Sequence, residues 1–275
     1  MLSGLSAALA AAVVFGGAAI VQAIAARNVT RARTLSSNLV VQLLGQPTLY
    51  AAVVLNLVGF ALHVVALRQL PLYLAQAAIS ASLVVTAVLA VTFFKDRLAT
   101  AEWLAVGAVV VGLAALTIAA GEPGPTEMRV YLTGALAIAV VAIAVTAVFV
   151  SRIDGTTATM YLGALAGLAF AGVSIAARLI PDLNPANLLL TPVAYVLPLS
   201  GALGFGLFSL ALQRGSVTNV TAPMVVLQTL APASFGVALL GDGIREGAIA
   251  LAVLGLVLTV AGAVVLGRFD AVRQM

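Results

Sequence analysis

The sequence predicts an all-α integral membrane protein, and three observations lead to this prediction. Of the 275 residues, 63% are hydrophobic and only 8% are charged, whereas soluble domains carry roughly 25% charged residues. Apolar runs of about 20 residues, each long enough to cross a bilayer, follow one another almost end to end. Runs such as ALAIAVVAIAVTAVFV do not show the two-residue alternation of membrane barrel strands. Because backbone polar groups in lipid must be paired internally, the spanning elements are expected to be helices.

The apolar runs predict nine transmembrane helices. Their predicted bounds are 7–26, 49–67, 72–94, 101–120, 130–150, 158–180, 192–212, 220–240 and 248–266. Between the first two lies the basic stretch 27–48, whose apolar core at 39–44 is too short to span a bilayer. We expect a short amphipathic segment at the membrane interface there. A tenth helix in 31–47 is the alternative.

A linker divides the chain into two halves. Pro123 and Pro125 lie in GEPGPTE, and prolines beside glycines are typical of a loop. This linker, 122–128, separates a first half with four predicted helices, 1–121, from a second half with five, 129–275.

The two halves carry the same pattern of residues. Arg68 and Arg214 lie 146 positions apart, and Asp96 and Asp242 have the same separation. An apolar pair precedes each aspartate, in FFKDR and in LLGDG. We therefore interpret the chain as two related repeats, with these four residues as the repeat motif.

The distribution of lysine and arginine predicts how the helices are oriented. With nine helices and the N-terminus outside, nine of these residues fall on the cytoplasmic side and four on the outer side. A tenth helix would give six against seven, and basic residues favour the cytoplasmic side. We therefore expect a multi-pass protein of the cell membrane with its N-terminus outside and its C-terminus in the cytoplasm. Asp96 is then cytoplasmic and Asp242 is outside, so the repeats are inverted, as they would also be with ten helices.

With these motifs, the chain resembles the EamA-like proteins of the drug/metabolite transporter (DMT) superfamily. FFKDRL and LLGDGI stand for that family's motif at a helix end, with Asp96 and Asp242 in place of the usual glutamate. The nine-helix layout and the stretch LPLYLAQAAISASLVVTAVLAVTFFKDRL are similar to the magnesium-transporter-like NIPA branch. The resemblance covers nearly the whole chain. It implies an EamA-like bundle of two inverted repeats, a secondary transporter that carries a small solute by alternating access.

The resemblance leaves three kinds of substrate open. These are a small organic or amphiphilic solute, a divalent cation such as Mg²⁺, and a lipid-linked intermediate moved by a flippase. Magnesium transport is expected to need carboxylate or carbonyl oxygens near the path. All nine acidic residues are predicted in loops or in the first turn of a helix, so no buried acid is expected. This weakens the magnesium alternative, and we predict no metal site.

Other functional classes find little support in the sequence. There is no G-x-S-x-G elbow, histidine cluster or pair of intramembrane carboxylates, so we expect neither an enzyme nor a cofactor. Cysteine is absent, which excludes disulfides and thiolate metal sites. The net charge of +4 is explained by cytoplasmic anchors, and no basic cluster dense enough for nucleic acid occurs. The lipid bilayer is the expected partner, and the repeats argue against a scaffold that transports nothing.

Polar side chains within the predicted helices are the candidates for a substrate path. In the eighth helix, Thr221, Gln228 and Pro232 share one face, at i, i+7 and i+11. Pro232 should free a backbone carbonyl near the middle of the membrane. Hydrogen bonding between neighbouring helices is the alternative role for the threonine and the glutamine.

The third predicted helix carries two further pairs of candidates. Gln76 and Ser80 share one face, and Ser82 and Thr86 share another. With the offset of 146 residues, Ser82 corresponds to Gln228 and Thr86 to Pro232. Helix packing is again the alternative role, because small hydroxyl groups in membrane helices commonly serve it.

His63 is the only histidine and the only titratable residue well inside a predicted helix. An intramembrane ionisable residue indicates function, and a histidine could couple transport to protons. The alternative is a neutral interfacial histidine near Arg68. Asn56 and Gln22 are weaker candidates for the path. Arg68 and Arg178 end predicted helices on the outer side, where we expect snorkelling anchors; attraction of anionic headgroups or substrates is the alternative.

Spaced glycines predict close helix packing. Gly163 and Gly167 form a GxxxG pair, and Gly112 and Gly255 lie in the fourth and ninth predicted helices. Such glycines bring helices together within one chain or between two copies. The sequence therefore leaves a homodimer open.

Overall fold

Helices account for nearly all of the described chain. The structure, a computed structural model, describes residues 2–27, 47–94, 99–125, 130–182, 184–214 and 217–273. The described residues form eleven α-helices and one π-helical turn, and no strand occurs among them. The helices are α1 (Leu2–Arg27), α2 (Pro47–Gln69), α3 (Leu72–Ile79), α4 (Ala81–Phe94), α5 (Thr100–Ala119), α6 (Val130–Val150), α7 (Thr156–Leu179), α8 (Pro185–Leu188), α9 (Pro192–Arg214), α10 (Val217–Phe235) and α11 (Ile249–Arg273), with the π-helical turn at Gly236–Leu240 between the last two. The all-α prediction is confirmed for this part of the chain.

Each of the nine predicted helices coincides with helical residues. Six described helical segments are long and apolar enough to cross a membrane. They are Leu72–Leu89, Thr100–Ala119, Val130–Val150, Thr156–Leu179, Ala222–Leu240 and Ile249–Gly267. Shorter apolar segments lie in α1, α2 and α9. These properties support a membrane-embedded helical protein, and nine spans remain a prediction. The interfacial segment predicted in 27–48 lies almost wholly outside the described residues.

Two helices that pack on each other are irregular. The predicted helix 72–94 is interrupted at Ser80, where the N–H donates to Ala77 O at 3.0 Å and the oxygen accepts from the N–H of Leu83 at 3.2 Å. These are bonds between residues three apart, so the helix is tighter at this point than a regular α-helix. Its neighbour α10 contains Pro223 and Pro232, which cannot donate to the preceding turn.

Glycines allow two pairs of helices to approach closely. A Cβ atom on Gly167 of α7 would lie 2.9 Å from the Cα atom of Met224 on α10. Gly163 lies similarly close to the backbone of Val220, one turn earlier in α10. Between α5 and α11, a Cβ on Gly255 would lie 2.8 Å from the backbone oxygen of Gly112. These glycines, including the GxxxG pair, pack helices within one chain.

Several helix ends meet at what we call the Asp242 end of the bundle. Ser3 Oγ, at the start of α1, donates to Gln69 Oε1, at the end of α2, at 2.7 Å. The N–H of Leu72, the first residue of α3, donates to Asp242 Oδ2, just after the π-helical turn, at 2.6 Å. The connection after α5 also pairs there with the segment that follows Asp242.

The opposite end of the bundle, the Ser151 end, receives other helix termini. Arg214, the last residue of α9, donates from Nη1 to the backbone oxygen of Ser151, just after α6, at 2.5 Å. The first residues of α1 and α3 lie at the Asp242 end, and the last residues of α7 and α10 lie there as well. Therefore α1 and the α3–α4 pair run away from the Asp242 end, whereas α7 and α10 run toward it.

Candidate functional site

A chain of hydrogen bonds connects α2, α3 and α10. His63 on α2 is only 3% exposed, and its Nε2 lies 3.1 Å from Oε1 of Gln76 on α3. Nε2 of Gln76 in turn donates to the backbone oxygen of Gln228 on α10 at 2.9 Å. The structure therefore brings together three residues that the sequence proposed separately on three different helices.

Pro232 explains why the carbonyl of Gln228 is open to this bond. In a regular helix, the carbonyl of residue 228 would accept from the N–H of residue 232. Proline has no N–H, so that donor is missing. Gln76 supplies a donor from another helix in its place.

The direction of these bonds determines which nitrogen of His63 donates. The carbonyl of Gln228 can only accept, so the amide of Gln76 must present its nitrogen there and its oxygen to the imidazole. His63 must therefore donate from Nε2, which leaves Nδ1 as an acceptor when the ring is neutral. Nδ1 is buried and has no hydrogen-bond partner among the described residues. His63 thus keeps one unused acceptor inside the bundle.

A cavity of about 190 Å³ lies against Gln76 and Gln228. The lining, from α3, α4, α10 and the break between α3 and α4, consists of Gln76, Ile79, Ser80, Ser82, Leu83, Met224, Val225, Gln228 and Thr229. None of these residues is charged, and their polar groups are amides and hydroxyls. Four residues proposed from the sequence, Gln76, Ser80, Ser82 and Gln228, therefore surround one cavity.

Five of the nine lining residues were not proposed from the sequence, among them Thr229 and Met224 on α10. Thr229 is buried, and Met224 packs beside Gly167. Both were missed because the sequence prediction considered only one face of a regular helix, the face that carries Gln228. The two prolines in α10 could have indicated that residues outside this face also line the cavity. A helix that contains proline is irregular and does not present one constant face along its length.

Thr86 and Asn56, which the structure describes, do not line this cavity. Thr86 is buried between helices, where its Oγ1 donates to Ser82 O at 2.8 Å and lies 3.4 Å from Gly16 O on α1. These contacts give it a packing role. Asn56 is half-buried on α2, two turns before His63. Outside the described part of the chain lie Asp96 and the side chains of Gln22 and Thr221.

A buried ion pair lies at the Asp242 end. Nη2 of Arg178, near the end of α7, lies 3.1 Å from Oδ1 of Asp242, and both side chains are fully buried. Arg178 also donates to the backbone oxygens of Leu67, of Leu70 at 3.2 Å and of Gly124 at 2.6 Å. One arginine therefore joins the end of α2, the linker between the halves, α7 and the segment after α10.

Asp242 adds its own contacts to this cluster. Its Oδ2 accepts from the N–H of Leu72, and its Oδ1 accepts from the N–H of Gly124 at 2.8 Å. It satisfies a free N–H at the start of α3, as an N-terminal cap does, although it lies in the other half of the chain. A Cβ on Gly236 would contact the carboxylate and lie 2.9 Å from Leu72 Cβ, so this position has room only for glycine.

The cluster corrects two expectations from the sequence. Arg178 was expected to be a snorkelling anchor, and this is wrong because the residue is fully buried. No buried acid was expected, yet Asp242 is 4% exposed and Glu102 is 5% exposed. Charges can be buried when they are paired and hydrogen-bonded, and the loop that carries Asp242 folds back onto the start of α3 and the end of α7.

The two repeat-motif arginines make similar contacts at opposite ends. Arg68, at the end of α2, donates to the backbone oxygens of Ile180 at 2.9 Å and Pro181 at 2.7 Å, just after α7. Arg214 donates to Ser151 O, just after α6. Both arginines therefore bind carbonyl groups that follow the C-terminus of another helix, where a positive charge is stabilised.

The described residues contain no group of three histidine, cysteine, aspartate or glutamate residues that could hold a metal ion. The chemistry available at the cavity is hydrogen bonding by neutral groups. Comparison of this chain with family models, curated proteins and solved structures finds no match.

Proposed function

We propose that this chain is a secondary membrane transporter of the DMT type, which moves a small solute across the cell membrane by alternating access. The observation that carries the proposal is the bond between Gln76 and Gln228, which joins two irregular helices beside an uncharged polar cavity. Transporters commonly form their sites from discontinuous helices that leave backbone groups free near the middle of the membrane.

The directions and contacts of the helices support two inverted repeats. In the first half, α1 runs away from the Asp242 end and packs on α2 and α4. In the second half, α7 runs toward that end and packs on α9 and α10. Across the halves, α3 packs on α10 and α5 packs on α11, each pair in opposite directions. This is the arrangement that the offset of 146 residues predicts for inverted halves.

The buried cluster makes the Asp242 end the closed side of the proposed transporter. Arg178, from the second half, binds the backbone of Leu67 and Leu70, from the first half. Opening this side would have to separate these groups, because they connect the halves directly. The distribution of basic residues along the sequence favours the outside of the cell for this end.

The cavity favours a small polar solute without a net charge. Its hydroxyl and amide groups can donate and accept hydrogen bonds, and no charged side chain lines it. A divalent cation would have to be held there by neutral oxygen atoms and water alone. We therefore place an uncharged or zwitterionic solute ahead of Mg²⁺.

Replacing Gln228 by alanine tests the cavity as a substrate site. The bond from Gln76 goes to the backbone oxygen of residue 228, so this substitution alters the cavity and leaves that bond in place. For a transported solute, we expect KM to rise about two- to tenfold, because a neutral hydrogen bond contributes about 0.5–1.5 kcal/mol. The measurement is uptake into proteoliposomes from a panel of neutral solutes, with Mg²⁺ and a long-chain amphiphile as further arms.

The matched control is Gln69→Ala, at the end of α2 and away from the cavity. It should leave KM unchanged. Transport of Mg²⁺ alone would favour the magnesium alternative, and an unchanged KM in Gln228→Ala would remove this cavity from the path. Absence of transport for every arm would count against the transporter itself.

The proposed orientation is tested with single cysteines, since the natural chain has none. Asp154 and Glu246 are exposed at opposite ends of the bundle. In intact cells, a membrane-impermeant thiol reagent should label Glu246→Cys and should label Asp154→Cys only after the cells are opened. Labelling of both from the same side would overturn the alternation of the helices.

A further inference from the structure

An apolar groove lies on the outside of the bundle, between α2 and α9. It has a volume of about 410 Å³, and its walls include Phe60 and Val64 of α2 and Tyr195 and Pro198 of α9. Its only polar side-chain group, the hydroxyl of Tyr195, donates to Leu189 O at 2.7 Å. The groove therefore offers a lining suited to a hydrocarbon chain.

A positive charge lies at the end of this groove. Ile180 lines the groove, and its backbone oxygen accepts from Nη1 of Arg68 at 2.9 Å. Arg68 is half-buried and uses two of its five N–H donors, toward Ile180 and Pro181. Within the described part of the chain, the one ion pair is Arg178–Asp242, and Arg68 forms none there.

The nearby carboxylate of Asp182 accepts hydrogen bonds within its own loop. It accepts from the N–H of Asn184 at 3.0 Å and from Nδ2 of Asn187 at 2.7 Å. Arg178 is already paired with Asp242. Arg68, with two of its N–H groups in use, therefore keeps donors for a ligand beside the groove.

We propose that the groove and Arg68 form a site for an anionic phospholipid of the membrane. One acyl chain lies along the apolar walls, and the headgroup phosphate accepts hydrogen bonds from the guanidinium of Arg68. Arginine suits phosphate because its planar N–H groups can donate in pairs, and basic pockets between membrane helices bind anionic headgroups. Since any lipid chain can enter an apolar groove, the charge supplies the selectivity. The proposal does not depend on transport.

The test compares two lipids with the same acyl chains and different headgroup charge. The full-length protein, purified in a mild detergent, is titrated with dioleoylphosphatidylglycerol or dioleoylphosphatidylcholine, and native mass spectrometry measures the bound fraction. We expect the anionic lipid to bind more tightly. Arg68→Gln should weaken its binding about fivefold, because one basic residue near the membrane surface contributes about 1 kcal/mol. Arg68→Lys should retain most of the preference.

Two further variants separate the charge from the groove. Arg245→Gln removes an exposed arginine at the same end of the bundle and should leave lipid binding unchanged. Ala194→Phe fills the groove and should weaken the binding of both lipids. Equal binding of the anionic lipid by the wild type and Arg68→Gln would overturn the proposal, and so would unchanged binding in Ala194→Phe. Competition by inorganic phosphate alone would reassign Arg68 to a soluble anion.

Discussion

Replacement of Arg178 by methionine is expected to lower the free energy of unfolding by about 3–5 kcal/mol, because it leaves the carboxylate of Asp242 buried without its partner. Asp242→Asn should have an effect of the same sign, since it leaves the guanidinium uncompensated. Each variant also disturbs hydrogen bonds to the backbone of Gly124. The measurement is thermal or detergent-induced unfolding of the purified protein in micelles.

The double variant Arg178→Met/Asp242→Asn tests whether the two residues act as a pair. It should cost less than the sum of the single variants, because no charge then remains buried alone. Arg245→Met, at an exposed position of the same end, should change stability by no more than about 0.5 kcal/mol. Additive effects, or a loss in Arg178→Met as small as in the control, would contradict a buried ion pair that stabilises the bundle.

The second large effect is expected for Gln76→Leu. The substitution removes the donor for the carbonyl of Gln228 and the acceptor for Nε2 of His63, and both groups are left buried. Each unsatisfied group costs about 1–3 kcal/mol. Transport should also be lost if the cavity is the substrate site. Unfolding and uptake are measured on the same preparation.

The control for this prediction is Gln69→Leu, which removes only a bond to the exposed Ser3. The double variant His63→Leu/Gln76→Leu should regain part of the stability, because the imidazole is then no longer left without an acceptor. If Gln76→Leu is as stable as Gln69→Leu, the bonds between α2, α3 and α10 do not contribute to the fold.

Much of the fold could be predicted from composition and helix signals. The apolar runs placed every predicted helix on residues that are helical, because the length and the ends of such runs are local properties of the sequence. The break at Ser80 was not predicted, since no proline marks it. It follows directly after α3, which packs against α10, a contact that the local sequence does not encode.

The candidate site was predicted in part, as single residues. Polar groups in apolar helices are visible one at a time, so Gln76, Gln228 and His63 were proposed from their positions alone. The bond between the first two crosses 152 positions of sequence, and spacing along a helix cannot reveal such a contact. The burial of Arg178 was missed for the same reason. The sequence shows an arginine at the end of a helix, as expected for a membrane anchor, and only the structure shows its distance from Asp242.

The two residues of the buried ion pair at the Asp242 end are synthesised at different times. Arg178 leaves the ribosome 64 residues before Asp242. At a translation rate of about 5–20 residues per second, Asp242 is synthesised roughly 3–13 s after Arg178. During that interval the start of α3 also lacks its final partner, the carboxylate of Asp242. The nascent protein therefore carries an unneutralised charge among its helices until Asp242 has been synthesised, and a chain truncated before residue 242 would never lose it.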